Sequence, residues 1–196
     1  MLRILLTACF VLAASIASAI EIKEVTSDGG INAWVVEEPS IPFTALEIRM
    51  RGGASLDLPG KRGAVNLMMA LIEEGSGDMD ARAFQTKLDA LAASFSFRAY
   101  DDTMSISARF LTENKDAVLA LLHQALTAPR FDRDAIDRVR AQVLSGIASD
   151  AKSPNRIAST YFDKAAFSDH PYGSSIDGTV ESVSALTQAD MFEAYR

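Results

Sequence analysis

The hydrophobic pattern of the chain changes its period at Gly63. Before this residue, short apolar segments alternate with polar residues and are separated by Gly and Pro, which is typical of strands. After it, apolar residues recur every three to four positions, which predicts helices. The first helical segment is "GAVNLMMALIEEG", residues 63–75, which is apolar on nearly all sides except at Asn66. The order of patterns therefore predicts strands first and helices packed over them.

The individual elements follow from this pattern. Strands are predicted over residues 20–26, 31–36 and 43–50, and a hairpin over 95–100 and 103–111. Helices are predicted over residues 64–73, 80–92, 114–126, 133–151 and 155–167, with a last one opening near Thr187. This order favours an α+β domain, with a largely antiparallel sheet and helices on one face. Because the sequence ends at Arg196 inside a predicted helix, we expect the domain of residues 20–196 to be truncated at its C-terminal end.

The first nineteen residues have the pattern of a secretory signal peptide. Arg3 supplies a positive charge, residues 4–14 are apolar, and residues 17–19 read Ala-Ser-Ala, a small-residue cleavage site. An uncleaved anchor is less favoured because residues 4–20 fall short of the roughly 20 that cross a bilayer. A lipoprotein signal at "LTAC", residues 6–9, is a second alternative. We therefore expect residues 1–19 to be removed and the protein to be periplasmic or secreted, with no stable membrane anchor after cleavage.

Charge and cysteine content exclude several classes of ligand. The formal net charge is -7 and the basic residues are scattered, which argues against nucleic acid and anionic membrane as partners. Cleavage after residue 19 would also remove Cys9, the only cysteine. The mature chain would then have no thiol for a disulfide or a metal.

The usual catalytic patterns are weak. The two histidines are His123, on a predicted helix, and His170, in a predicted turn. The pair Asp101 and Asp102 is best read as a hairpin turn, since adjacent strand residues point to opposite faces. Residues 75–77, Gly-Ser-Gly, follow a predicted helix and are expected to cap its C-terminal end rather than to bind phosphate.

Three separated blocks carry a family resemblance. Residues 51–97, 110–150 and 170–196 resemble, in order, the pitrilysin or insulinase family of zinc peptidases, M16, and are most similar to its processing-peptidase branch. The last block contains "HPYG" and "GTVESV", which match the family's tail motif. The matching positions are His170, Pro171, Tyr172, Gly173, Gly178, Thr179 and Glu181. The resemblance extends over residues 20–196 and implies an M16 half-domain of the LuxS-metallohydrolase-like fold.

The family's metal motif is H-x-x-E-H on a helix. Histidines at i and i+4, with a glutamate at i+3, share one helix face and hold zinc beside a base. In this sequence the three positions fall on Asn66, Met69 and Ala70, and the family's later glutamate ligand falls on Gly146. The resemblance therefore implies vestigial metal-site positions, with no catalytic residue, no metal ligand and no cofactor in this chain.

The resemblance also implies a function. Inactive members of the family pair with active ones, so we expect a non-catalytic subunit of a periplasmic heterodimeric zinc peptidase. Its active partner would supply the zinc, and the two would close around an extended peptide, with an acidic lining favouring basic peptides. One alternative is a stand-alone peptide-binding or scaffolding protein with this fold. Another is an active enzyme with a relocated metal site built from His123, His170 and carboxylates.

Overall fold

A computed structural model describes residues 21–196 of the chain, and these residues divide into two units, 21–41 and 42–196. The predicted signal peptide over residues 1–19 and Cys9 lie outside the described residues. Among residues 21–196, no helix combines the length and the apolar character that crossing a bilayer requires.

The first unit contains a hairpin of two strands, β1 (Lys23–Thr26) and β2 (Asn32–Val35). The strands are antiparallel, with Thr26 opposite Asn32 at the turn end. The turn contains Gly30 at φ +82°, a backbone conformation that glycine adopts without steric cost. Both strands agree with the sequence pattern, although β1 begins later than predicted.

The second unit combines a three-stranded sheet, a two-stranded sheet and seven helices in the described part of the chain. In chain order its elements are β3 (Phe43–Arg51), α1 (Ala64–Leu71), β4 (Gly75–Ser76), β5 (Met79–Asp80), α2 (Ala81–Ala90), β6 (Ser94–Ala99), β7 (Thr103–Leu111), α3 (Lys115–Thr127), α4 (Arg133–Asp150), α5 (Pro154–Phe167), α6 (Val180–Ala185) and α7 (Gln188–Tyr195). Short 3-10 helices lie over Ala54–Leu56, Thr112–Asn114 and Pro171–Gly173.

The main sheet has the strand order β3-β7-β6, and both pairings are antiparallel. Side chains alternate between its faces, so Leu46 and Ile48 of β3 share one face with Ile106 and Ala108 of β7. This face packs into the hydrophobic core with residues of α1 to α4 and α7. The predicted α+β architecture, with helices on one face of an antiparallel sheet, is confirmed.

Helix α1 lies inside this core. Six of its residues are buried: Ala64, Val65, Leu67, Met68, Met69 and Leu71. It packs against β6, α4 and α7. Gly63 offers no side-chain cap, and the carboxylate of Asp57 instead accepts hydrogen bonds from the backbone N–H groups of Gly63 and Val65, at 2.8 and 2.9 Å. Asp57 thus satisfies two donors that a helix start leaves unpaired.

The segment after α1 differs from the prediction. The helix ends at Leu71 instead of residue 73, and Gly75–Ser76 form strand β4 with β5 instead of a helix cap. The backbone around β4 also bonds elsewhere, because the N–H of Gly77 donates to the carbonyl oxygen of Ala128 at 2.9 Å. The predicted cap at residues 75–77 is therefore wrong, since this backbone finds its partners in a strand and in the segment after α3.

Candidate functional site

Three of the four positions that the family resemblance predicts for the metal site lie on α1, and none carries an imidazole, thiolate or carboxylate. Asn66 is half-buried, and its Nδ2 donates a hydrogen bond to Oδ1 of Asp177 at 2.9 Å. Met69 is 3% exposed and belongs to the hydrophobic core. Ala70 is half-buried and carries only a methyl group. The helix face predicted to correspond to the metal motif is thus used for packing and for one structural hydrogen bond.

The fourth position, Gly146, lies on α4. Helix α4 packs against α1, and its last buried residue is Val139. Gly146 lies about 10 Å further along the helix axis, at a rise of 1.5 Å per residue. It is exposed, and a Cβ atom placed there would meet no other atom within 4 Å. The structure therefore leaves this position open and without a ligand group.

These residues do not fit a zinc ion. Zinc is held by imidazole nitrogen, thiolate sulfur or carboxylate oxygen, whereas the four positions provide an amide, a buried thioether, a methyl group and a glycine. Nowhere in residues 21–196 do three His, Cys, Asp or Glu side chains group closely enough to hold a metal. His123 is exposed on α3, and His170 begins a 3-10 helix. In the described chain, the alternative of a relocated site built from these histidines therefore has no cluster to support it.

Six of the seven residues matched to the family's tail motif lie in one loop, residues 170–179, which we call the clamp loop. Nδ1 of His170 accepts a hydrogen bond from the backbone N–H of Tyr172 at 3.3 Å, and the two rings lie 4.4 Å apart. The Tyr172 hydroxyl donates to the carboxylate of Asp102 in the β6–β7 turn. The Ser55 hydroxyl donates to the same carboxylate at 2.9 Å. The predicted hairpin turn at Asp101 and Asp102 is confirmed, and it anchors the clamp loop.

Arg62 is the residue that joins the clamp loop to the rest of the domain. Its Nη2 donates to the carbonyl oxygens of Pro171 and Ser174, at 3.1 and 3.0 Å, and to Asp101 at 3.1 Å. Its Nη1 donates to the carbonyl oxygen of Ala54. One largely buried guanidinium thus connects the start of α1, the β6–β7 turn and the clamp loop. The sequence reasoning missed Arg62, although it lies directly before Gly63 inside the matched block.

Two glycines let the clamp loop approach α1 closely. Gly178 has φ +80°, and a Cβ atom there would lie 2.3 Å from the carbonyl oxygen of Arg62. At Gly63, φ is +98° and a Cβ atom would lie 2.7 Å from the carbonyl oxygen of Asp177. Neither position accepts a larger residue without a backbone shift. This approach brings Asp177 within reach of Asn66.

Helix α6 follows the clamp loop and begins with a capping box. The hydroxyl of Thr179 accepts a hydrogen bond from the Ser182 backbone N–H at 3.1 Å, and the Ser182 hydroxyl accepts one from the Thr179 N–H at 2.9 Å. Glu181 is exposed in the first turn. The matched positions Gly178 and Thr179 therefore have structural roles, which are close approach and helix capping.

Hydrogen bonds and burial shift the pKa values of several groups in this region. Hydrogen bonds from Tyr172 and then Ser55 hold the pKa of Asp102 below its usual range. The same bond raises the pKa of the Tyr172 hydroxyl. Burial raises the pKa of Asp57, against the hydrogen bonds it accepts at the start of α1. Burial, followed by repulsion from Glu74, raises the pKa of Glu73.

Fold and site together define a class: an α+β domain in which the positions predicted to correspond to a metal motif carry no metal-binding side chain. Comparison with known proteins specifies the class further. The sequence profile of Insulinase (Peptidase family M16) matches residues 34–180. The chain therefore belongs to peptidase family M16.

Individual relatives agree with this assignment. The chain is 23% identical over 159 residues to the non-peptidase homolog YmxG of Helicobacter pylori, covering 81% of this chain and 37% of the relative. It is 22% identical over 175 residues to an uncharacterized zinc protease of Streptomyces coelicolor, covering 89% and 38%. The crystal structure of a peptidase M16 inactive domain from Pseudomonas fluorescens superposes with a TM-score of 0.83 at 25% identity, covering 90% of this chain and 43% of that one. The chain thus spans about two fifths of the length of these relatives.

Proposed function

We propose that this chain is a non-catalytic subunit of a periplasmic, heterodimeric M16 peptidase, and that it completes the peptide-binding chamber of an active partner. The observation that carries the proposal is the hydrogen bond from Asn66 to Asp177. At the position where an active member has its first zinc-binding histidine, this chain has an amide that fastens the clamp loop.

The other vestigial positions support the same conclusion. Met69 replaces the catalytic glutamate and is buried, so no water reaches the point where a base would act. Ala70 and Gly146 offer no atom that binds zinc. The names of two similar proteins, a non-peptidase homolog and an inactive domain, are consistent with such a role.

The remaining parts of the proposal concern location and partner. The signal-peptide pattern of residues 1–19 supports the periplasm or secretion. The partner would be an M16 homologue with an intact H-x-x-E-H motif, and it would contribute the zinc, the base and the attacked water. This chain would contribute rigid walls, because the clamp loop and α1 are joined by Arg62 and by the Asn66–Asp177 bond.

Reconstitution with an active homologue tests the proposal. Peptidase activity on a quenched fluorescent peptide is measured for this chain, for the homologue, and for their equimolar mixture. We expect no activity from this chain and more activity from the mixture than from the homologue by itself. The control is a homologue whose motif glutamate is replaced by glutamine, which should make the mixture inactive.

The same experiment separates the alternatives. Activity of this chain without the homologue would overturn the proposal. A chain that binds peptide but leaves the homologue's activity unchanged would instead be a stand-alone peptide-binding protein.

A further inference from the structure

The sheet face opposite the helices is polar and carries arginines. Serines occupy its centre and three arginines lie around them, and we call this surface the serine–arginine face. Its residues are Glu47, Arg49, Ser94, Ser96, Arg98, Ser105, Ser107 and Arg109. They line an open groove of about 410 Å³. The face has no part in the clamp loop or at the vestigial metal positions.

The strand register fixes the spacing of the arginines. Arg49 on β3 and Arg98 on β6 both lie opposite Ser105 of the central strand β7, so they flank it on either side. Arg109 lies on β7 itself, four residues beyond Ser105 and on the same face. At about 3.4 Å per residue, the pair and the single arginine are separated by roughly 14 Å along the strand.

A single acidic residue lies between these two positive positions. Glu47 is opposite Ser107, midway between Ser105 and Arg109. Both serine hydroxyls donate to its carboxylate, and these bonds, Ser105 first, hold the pKa of Glu47 below its usual range. Glu47 therefore stays ionised at neutral pH, so the groove has the charge order positive, negative, positive along β7.

The arginines are only partly neutralised. Arg49 is paired with Glu47 at 3.3 Å. Within residues 21–196, Arg98 and Arg109 have no carboxylate oxygen within 4 Å. The chain as a whole has a net charge of -7, so an excess of positive charge on this face is a local feature. A negatively charged ligand complements it.

We propose that the serine–arginine face binds an extended acidic peptide whose carboxylates are four residues apart. In an extended peptide, side chains on one face recur at about 6.8 Å, so residues i and i+4 span roughly the 14 Å between the two arginine positions. A carboxylate at i+2 would lie over Glu47 and be repelled. The hydroxyls of Ser105 and Ser107 donate to Glu47 and can still accept hydrogen bonds from the peptide, and none of the small serine side chains blocks its approach. This charge preference is opposite to the basic peptides that an acidic lining would favour.

The inference rests on the proposed function for the peptide nature of the ligand, and it is tested on this chain without a partner. Fluorescence anisotropy measures the binding of labelled peptides to the full chain. The peptides are alanine- and serine-based, with glutamates at i and i+4, glutamates at i and i+2, or glutamines at i and i+4. The first should bind at least about 5-fold tighter than the other two, because its two arginine–carboxylate contacts contribute up to about 5-fold in affinity each and up to about 25-fold together.

Two charge-matched double variants test whether Arg98 and Arg109 bind the peptide. The double substitution Arg98→Ala with Arg109→Ala should weaken binding of the i,i+4 peptide about 10-fold. The control, Arg82→Ala with Arg133→Ala, removes the same charge from exposed positions on α2 and α4 and should change affinity less than 2-fold. Raising the salt concentration should weaken the wild-type complex and reduce the difference between the peptides.

Four outcomes would overturn the inference: equal binding of the three peptides, equal effects of the two double variants, displacement by inorganic phosphate at the concentration of the peptide, or self-association that the Arg98 and Arg109 substitutions abolish. The last would make the face an interface between copies. If the peptides do not bind as expected but this chain still activates the homologue, the inference alone is wrong. If acidic peptides bind as expected and no activation occurs, the proposed function alone is wrong.

Discussion

Replacing Met69 by glutamate, the residue that the family resemblance predicts for active members at this position, should strongly destabilise the domain. Met69 is 3% exposed within the hydrophobic core, so an ionised carboxylate there would be removed from water without a charged partner. Burial of this kind raises a carboxyl pKa by several units, and a shift of 2–3 units corresponds to about 3–4 kcal/mol of unfolding free energy at neutral pH.

The sign of the pH dependence follows from this raised pKa. The folded variant would bind a proton more tightly than the unfolded chain, so the penalty is small near pH 4 and grows as the pH rises towards the folded-state pKa. Urea denaturation of Met69→Glu between pH 4 and pH 8 measures this loss of stability. Met69→Gln is the control, because glutamine has a similar size and does not titrate. If Met69→Glu were as stable as Met69→Gln at every pH, position 69 would be open to water and the site would not be packed shut.

Three further predictions concern the clamp loop and its contacts with α1. In a double-mutant cycle of unfolding free energies, Asn66→Ala and Asp177→Ala should couple by about 1 kcal/mol, and additive effects would show that their hydrogen bond is absent in solution. Gly178→Ala should lower the free energy of unfolding by about 2 kcal/mol or more, because the positive φ and the nearby carbonyl oxygen exclude a methyl group. Gly146→Ala, on an exposed helix, should instead raise it by about 0.5–1 kcal/mol. Similar thermal shifts for the two variants would contradict this prediction. Tyr172→Phe should destabilise the domain at pH 7, and this loss of stability should shrink as the pH falls below the ordinary Asp pKa, because the lowered pKa of Asp102 gives stability that is present above that value and is lost on acidification. Denaturation curves that show the same loss at every pH would argue against this prediction.

Much of the fold could be predicted because its periodic segments are long. Strand β7 alternates over its whole length, and α3 and α4 have regular apolar spacing with clear start signals. Strand β4 was missed because two residues are too few to show an alternating hydrophobic pattern. One of its partners, Pro129, also lies far away in the sequence, after α3. Helix α6 was missed for a related reason: it is six residues long and buries only Val183.

The site could be predicted only in part. The family's spacing located Asn66, Met69 and Ala70 on one helix, and the structure places them on α1. What Asn66 does could not be predicted, because its partner is 111 residues away and meets it only after two glycines let the backbones approach. Arg62 was missed because its four hydrogen-bond partners lie in three separate segments, and no local pattern connects them.

Zinc stoichiometry of the purified full chain tests the central claim most directly. The protein is equilibrated with zinc, freed of excess by gel filtration, and analysed by inductively coupled plasma mass spectrometry beside an H-x-x-E-H homologue treated in the same way. The account predicts about one zinc per chain for the homologue and far less than one for this chain. One zinc per chain that is lost on Asn66→Ala would show that the position still binds metal and would contradict the account.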